Sequence, residues 1–494
     1  MDITDKIQHI AKITSAQLSD DRKADFGQFY TAVNTANFMS SLFSPPPAHI
    51  SLLDPGAGSG ILTASYINAV LAKTKKPTSI SCYCFEIDTT VHDSLSETLE
   101  LCAEVCKKHK VKFEYIIKTD FVAEVCELLT DDLFASNEKL PSFNRIILNP
   151  PYKKIRSDSN THKMLKRVDV HSNNLYSVFV SLCLRLLKDK GELVAITPRS
   201  FCNGPYFTKF RQDMFERTAL ENIHVFESRT EAFKEDKVLQ ENVIFKLKAA
   251  PQKGNVIVSS TRGRDFRKVF KRKAPLHHVL SQSDASKIVH IIVSDEQVRV
   301  AETFERFKYA LSDIDLAIST GPVVDFRHKT ELVEKLQEGS APLFYAGHFD
   351  GLYISYDKEL RSKKKTAIRI CERSEKWLVK NLRYVITKRF SSKEERRRLV
   401  ATIYEPNLEL GKLIGFENHL NYFHSPKGEM SEALAKGLFA YLNSTIVDDF
   451  FRLFSGHTQV NSTDLRYLKY PSKKCLETLG EKLTSSEPTQ EEID

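Results

Sequence analysis

The chain has 494 residues, enough for two or three domains with real cores. Composition is that of an ordinary globular protein, 41% hydrophobic and 28% charged. With no apolar run near the roughly 20 residues of a membrane helix, and no charged-then-apolar N-terminus in MDITDKIQHIAKITSAQ, neither a membrane nor a secreted protein is expected. The formal net charge of +8 is uneven: residues 1–250 hold 32 Lys/Arg against 31 Asp/Glu, residues 251–494 hold 40 against 33, and a back half of that kind suits a polyanionic partner.

The first 44 residues read as helical, with a helix opening after Thr31 as N-cap and broken by Ser44-Pro-Pro-Pro. From Ile50 onward strands alternate with helices. ISLLD (50–54) runs into the loop PGAGSG, and a helix follows over 61–73. ISCYCFE (80–86) is a second strand. Leu95, Leu99, Cys102 and Cys106 mark one helix face. A third strand, 113–118, ends at Thr119-Asp120-Phe121. Ile146-Ile147-Leu148 is a short apolar run suited to a buried parallel strand, and Pro150-Pro151 must stop it, because proline donates nothing to a ladder. ELVAIT (192–197) is a fifth strand, with further strands over 222–227 and 242–247. This rhythm predicts a mostly parallel sheet covered on both faces.

Residues 249–255 (AAPQKGN) read as a linker. Beyond them the alternation is lost, and a separate mixed α/β domain is expected, with short strands at NVIVSS, LFYAGHF, LYISY and YVITKRF and helices near 326–337 and 430–443. The expected division is 1–44 helical segment, 45–250 catalytic domain, 251–485 recognition domain, and 486–494 a disordered tail. Two stretches concentrate the positive charge: 262–273 with seven basic residues and one acidic, and 361–398 with fifteen and four. The nine cysteines are scattered and contain no Cys-x-x-Cys pair, so neither a disulfide framework nor a metal site is expected, and a reduced, cytoplasmic protein fits best.

The chemistry gathers at strand ends, where open α/β sheets bind ligands. Asp54-Pro-Gly56-Ala-Gly58-Ser-Gly60 ends the first strand and opens a helix. Its glycines let backbone approach a ligand closely. It is neither a Walker loop nor Gly-x-Gly-x-x-Gly. Glu86 ends the second strand, 26 residues past Gly60, where a ribose-hydroxyl acceptor belongs. Asp120 and Phe121 end the third, placed to receive an adenine ring. Asn149-Pro150-Pro151-Tyr152 ends the fourth.

Taken together, DFGQFYT (25–31), LLDPGAGSG (52–60), FEID (85–88), TDF (119–121), NPPY (149–152) and NLYSVF (174–179) resemble, in kind and order, the gamma-class adenine-N6 DNA methyltransferases. The segments 224–245, AISTGPVVDFR (317–327) and SGHTQVNSTDLR (455–466) resemble more closely the PstI/BsuBI-like modification methylases of type II restriction systems. The resemblance spans about residues 25–470. It implies a Rossmann-like methyltransferase domain with a seven-stranded sheet and a C-terminal DNA-recognition domain. It also implies S-adenosylmethionine as cofactor and double-stranded DNA as partner. A monomer is expected, bacterial or archaeal, paired functionally with a cognate restriction endonuclease without a required stable complex.

Carried over by motif, Tyr30 and Thr31 lie near the methionine end of the cofactor, while Asp54, Gly58 and Gly60 shape the loop. Gly56 stands where alanine is more usual. Glu86 holds the ribose, and Ile87, Asp120, Phe121 and Phe179 surround the adenine. Asn149 and the Pro150 carbonyl accept the target amine's protons, and Pro151 stiffens the loop. Tyr152 stacks on the flipped base, with Phe233 on its other face and Phe226 as runner-up. Lys153, Lys154, Arg156, Arg262, Arg264, Lys271, Arg272 and Lys363 to Lys365 (with Lys364 between) are candidate phosphate contacts. His457, Thr458, Gln459 and Asn461 are donors and acceptors of the types that read base edges. A segment shared among enzymes with different target sites is expected to serve structure or backbone contact first. Three rival readings are a protein-glutamine or RNA methyltransferase, a non-catalytic DNA-binding protein, and a fused restriction–modification enzyme.

Overall fold

The structure, a computed structural model, describes residues 31–130, 142–227, 241–263, 265–280, 285–360, 364–391, 395–456, 458–485 and 487–494. Tyr30, Phe233, Arg264, Lys363 and His457 lie outside them. Two compact units divide at Val293/Ser294.

In the first unit, α1 (Val33–Ser41), β1 (His49–Pro55), α2 (Ile61–Leu71), β2 (Ser79–Phe85), α3 (His92–Lys108) and β3 (Lys112–Lys118) open the alternation. They are followed by α4 (Phe121–Leu129), β4 (Phe143–Leu148), α5 (Asn160–Arg167), α6 (Leu175–Leu186), β5 (Leu187–Pro198), α7 (Thr208–Arg217), β6 (Ala219–Phe226) and β7 (Asn242–Lys248). Two more strands, β8 (Val256–Thr261) and β9 (Phe270–Ala274), complete one nine-stranded sheet in the order β3-β2-β1-β4-β5-β7-β6-β8-β9. β1, β2, β3, β4 and β5 run parallel, β7 runs against its neighbours, and β8 again runs parallel to β6. Apolar side chains of α1, α2 and α3 pack on one face, and those of α4, α6 and α7 on the other. Both faces being buried explains why β4 reads as a continuous apolar run rather than an alternating one.

Four expectations need correction here. The sheet has nine strands, not seven. The expected boundary at residue 250 does not exist: NVIVSS becomes β8, whose Asn222↔Ile257 to Phe226↔Thr261 register adds it to the catalytic sheet. The basic stretch 262–273 therefore belongs to the first unit. Thr31 is not the cap of α1, which begins after Ala32 without a side-chain cap.

The second unit holds α8 (Asp295–Phe304) and two sheets. The six-stranded sheet contains β10 (Ala317–Thr320), β13 (Phe349–Asp350), β14 (Tyr353–Ile354), β17 (Tyr384–Lys388), β18 (Ala401–Tyr404) and β20 (Leu420–His424). The five-stranded sheet contains β11 (Leu332–Val333), β12 (Ser340–Phe344), β15 (Ala367–Arg369), β16 (Leu378–Lys380) and β19 (Leu413–Phe416). The helices α9 (Glu432–Asn443), α10 (Thr445–Phe454), α11 (Ser462–Tyr467), α12 (Lys473–Lys482) and α13 (Gln490–Ile493) close the chain. The mixed α/β character and the helix near 430–443 agree with expectation. The helix expected over 326–337 is absent, because Leu332 and Val333 pair with Ile368 and Ala367 instead. The tail expected to be disordered carries α13, and the Asp494 carboxylate accepts bonds from the Thr445 amide and hydroxyl.

Candidate active site

β1 and β4 are adjacent parallel strands, and the order reverses between them, with β2 and β3 on one side and β5 on the other. The crevice beyond such a reversal is where open sheets bind ligands. Both the glycine loop after β1 and Asn-Pro-Pro-Tyr after β4 open into it.

Gly56, Gly58 and Gly60 all have positive φ, at 79°, 55° and 82°. The loop turns through conformations that side chains resist. Gly56 donates to the Phe85 carbonyl at 2.8 Å, and its positive φ is the backbone conformation that the more usual alanine would resist. Gly60 faces away from the cavity, where a Cβ would meet Leu95 at 2.9 Å and Thr98 at 3.0 Å on α3.

The Glu86 carboxylate ties two strand-end loops together. One oxygen accepts from the Gly58 amide and the other from the Asp88 amide, both at 2.8 Å. Burial raises its pKa despite these bonds. Asp120 caps α4 through the Ala123 amide at 2.9 Å. Phe121 packs edge-on to Phe85 at 5.3 Å and against Phe179 at 5.0 Å. The result is a cavity of about 310 Å³ whose walls include Thr31, Gly56, Gly58, Glu86, Ile87, Asp120, Phe121, Asn149, Pro151, Lys153 and Phe179. Thr161 and Met164 of α5 and Leu175 of α6 also line it. No motif marked Thr161 or Met164, which α5 brings to the cavity.

Asp54 and Gly60 do not line the cavity; they support it from behind. Asp54 is fully buried, accepts from the Thr63 hydroxyl at 2.8 Å, and leaves its second oxygen without a partner. Burial pushes its pKa up to about 7. A carboxyl raised in this way stabilises the fold fully below its ordinary value of 3.8, and that contribution is lost progressively as pH rises to about 7 and is constant above it. Between about pH 4.5 and 7, the melting temperature of the wild type should therefore fall relative to that of Asp54→Asn. Parallel melting curves would refute this assignment of the proton.

The proline loop holds the most specific geometry. The Asn149 amide donates through Nδ2 to Thr31 Oγ1 at 3.0 Å, and Asn149 Oδ1 accepts from the Tyr152 hydroxyl at 3.0 Å. That hydroxyl also lies 3.3 Å from the Ile196 carbonyl at the end of β5, and the ring packs edge-on to Tyr176 at 6.2 Å. Tyr152 was expected only as a stacking ring; the structure adds a hydroxyl tether. Lys153 and Ile155 exchange backbone bonds with Leu175 and Asn173, which joins NPPY to NLYSVF and explains why the two motifs occur together.

A family model for Eco57I restriction-modification methylases matches residues 67–233. The type II methyltransferase M.BsuBI of Bacillus subtilis is 42% identical over 459 residues, covering 93% of this chain and 90% of its relative. The chain belongs to this family of type II methyltransferases. M.PstI of Providencia stuartii is 37% identical over 492 residues, covering 99% and 95%. Among solved structures, the DrdV–DNA complex is similar over 97% of this chain and 60% of that chain, with a TM-score of 0.51 at 12% identity, a likeness of fold. The methyl donor of the methyltransferase is S-adenosylmethionine. The cavity suits such a group: the Phe121 and Phe179 rings on one side, the Glu86 carboxylate beside them, and a glycine loop whose positive φ values bring backbone to its wall.

Candidates elsewhere are placed differently from one another. The Arg156 guanidinium is exposed, 3.5 Å from Asp158. Lys154 bridges to Asn174. Arg262, Lys271 and Arg272 sit on or beside β8 and β9 of the first unit. Within the second unit Lys364 pairs with Asp325 and lies over the Tyr345 ring, and Lys365 donates to the Leu332 carbonyl. These two have structural duties that the charge count did not show. Thr458 and Gln459 pair by backbone with Ser391 and Phe390. Asn461 caps α11, and both its amide groups donate to Asp464. Phe226 is 2% exposed and packs edge-on to His224, so it cannot receive a flipped base. Among the described residues no helix is long and apolar enough to cross a membrane.

Proposed function

We propose that this methyltransferase acts on duplex DNA. It transfers a methyl group to the N6 amine of adenine within a short recognition sequence, and so protects host DNA from a cognate restriction endonuclease. One observation carries the reading: a single amide, Asn149, hangs at the end of β4 on the wall of the cofactor cavity, held from both sides.

An exocyclic amine conjugated with its ring is a poor nucleophile. Asn149 Oδ1 and the Pro150 carbonyl accept hydrogen bonds from its two N–H groups and draw the nitrogen toward tetrahedral geometry, exposing a lone pair. S-adenosylmethionine, when bound, would supply the methyl group: its S–C bond breaks as the N–C bond forms, and the methylated nitrogen then releases one proton to solvent. No strong base is required; positioning and preorganised acceptors do the work. Thr31 and Tyr152 hold the amide from both ends and fix its orientation. Glu86 holds the ribose, and Phe121 and Phe179 enclose the cofactor's adenine. The target atom is buried in a duplex, so its base must be flipped, and Tyr152 stacks on it.

Tyrosine 152 thus has two separable parts. Tyr152→Phe keeps the ring and loses the tether. Its single-turnover rate should fall about 10-fold, the worth of roughly one hydrogen bond, with the flipped-base signal of 2-aminopurine retained. Tyr152→Ala should weaken flipped-base binding by roughly 1–3 kcal/mol. Equal rates for the phenylalanine variant and the wild type would remove the tether from the mechanism. Methylation-aware sequencing of DNA from an expressing host tests the whole reading. N6-methyladenine at one short sequence is expected, and its absence rejects adenine as the target.

A further inference from the structure

The redrawn boundary relocates the charge. The first unit, residues 1–293, carries 41 Lys/Arg against 33 Asp/Glu, and the second, 294–494, carries 31 against 31. The chain's entire surplus of +8 thus belongs to the catalytic unit, and its densest stretch is 262–273, the turn from β8 into β9 and most of β9 itself.

Topology fixes where that stretch lies. β8 is parallel to β6, and β6 has the same sense as β5 and β4, since β7 reverses between them. The carboxyl end of β8 therefore opens on the same sheet edge as Asn149. β4 and β8 are four strand steps apart in the sheet order, about 19 Å at ~4.8 Å per step. Along a duplex that is between five and six base steps of ~3.4 Å.

The turn is built to hold charge outward. Phe266 and Val269 pack against the core, and the Phe266 ring stacks on Phe38 of α1 at 4.4 Å and 13°, while Phe270 is exposed and lines the neighbouring groove. Thr261 Oγ1 donates to the Gly263 carbonyl, and its own carbonyl accepts from the Glu227 amide. Lys268 and Lys271 are exposed on this frame. Beside them a groove of about 1400 Å³ runs between the turn and the outer face of α1, where Asn34 and Asn37 add amides. An anchored cationic turn, facing the reaction edge at half a helical turn from the reacting atom, matches a phosphate backbone.

We propose that the β8–β9 turn is a DNA-backbone arm of the catalytic unit, which grips phosphates about five to six base pairs to one side of the target adenine. Its affinity is independent of sequence; it holds the duplex while the proline loop receives the base. The proposal rests on DNA being the substrate.

The test uses the full chain and fluorescent duplexes carrying the target sequence. The wild type should lose affinity when the duplex is trimmed to fewer than about five base steps beyond the target on one flank. Lys268→Ala/Lys271→Ala should make binding indifferent to that trimming. It should also lower the slope of log affinity against log salt by about two, at roughly 0.9 per phosphate contact. Cofactor affinity in the double variant reports an intact fold. A wild type indifferent to trimming overturns the arm without recourse to any variant, and so does a double variant with unchanged slope. Competition by polyglutamate as strong as by DNA would assign the surface to an acidic protein and also overturn it. If the methylated atom proves not to be adenine N6 while the slopes differ as described, the reaction assignment fails and the arm stands.

Discussion

Asn149→Ala lowers the methyl-transfer rate by about 10³-fold, the scale seen when a preorganised polar group is removed from a reacting centre, and leaves cofactor affinity close to that of the wild type. The reason is in the geometry. Asn149 Nδ2 donates to Thr31 Oγ1, and its Oδ1 accepts from the Tyr152 hydroxyl. In the proposed reading the cofactor is held by Glu86 and Phe121, which follow other strands, and by Phe179 of α6, so truncating the amide removes the acceptor and leaves those walls in place. The measurement pairs single-turnover methylation with isothermal titration of S-adenosylmethionine. A variant retaining even a tenth of wild-type rate would mean that the Pro150 carbonyl and the cavity suffice to orient the amine. Loss of cofactor binding together with rate would make Asn149 a structural residue of the cavity instead.

Gly480→Ala is expected to destabilise the second unit by about 3 kcal/mol, at the upper end of overpacking costs. α9 and α12 cross at glycine. A Cβ on Gly480 would stand 1.8 Å from the Ala433 carbonyl oxygen and 2.7 Å from the Gly437 amide, and one on Gly437 would stand 1.8 Å from the Leu476 carbonyl oxygen. Backbone cannot swing aside as a side chain can, so the helices must separate and uncover buried Leu438, Leu434 and Leu476. Calorimetry should show one transition shifted to lower temperature, while cofactor binding, which belongs to the first unit, persists. A single shifted transition with cofactor affinity lost in step would show that the two units unfold as one. Unchanged melting would mean that the crossing is looser than the contacts require.

The two units divide their labour differently from the reading that charge alone suggested. A basic back half pointed to DNA binding there. Instead the second unit is electrically balanced, and several of its cations are spent inside it: Arg383 grips Glu405, Arg397 donates to the Ser444 carbonyl, and Arg398 is buried against Ser391 and Ser455. The surplus belongs to the first unit, with seven basic residues against one acidic in 262–273 at the edge of its sheet.

The sequence by itself determined the order of the strand ends and what each carries. Those signals are local: an apolar run stopped by two prolines, a glycine loop at a helix start, an acid at the end of a strand. That order carries the resemblance to the family, and Thr31, Glu86, Asp120, Phe121, Asn149 and Phe179 line one cavity, with Asp54 and Gly60 behind its wall. Tertiary structure alone decided the rest. β8 joins the catalytic sheet because it pairs with β6, across residues that carry no periodic trace of the partner. Thr31 serves Asn149, and Tyr152 gains its tether, through contacts spanning 118 and 44 residues. The α9–α12 crossing is invisible in the chain, where two glycines in helical patterns read only as weak points. Periodicity reports how a segment meets its own neighbours; which strand it pairs with, and where its charge then faces, is settled by packing between segments far apart in the chain.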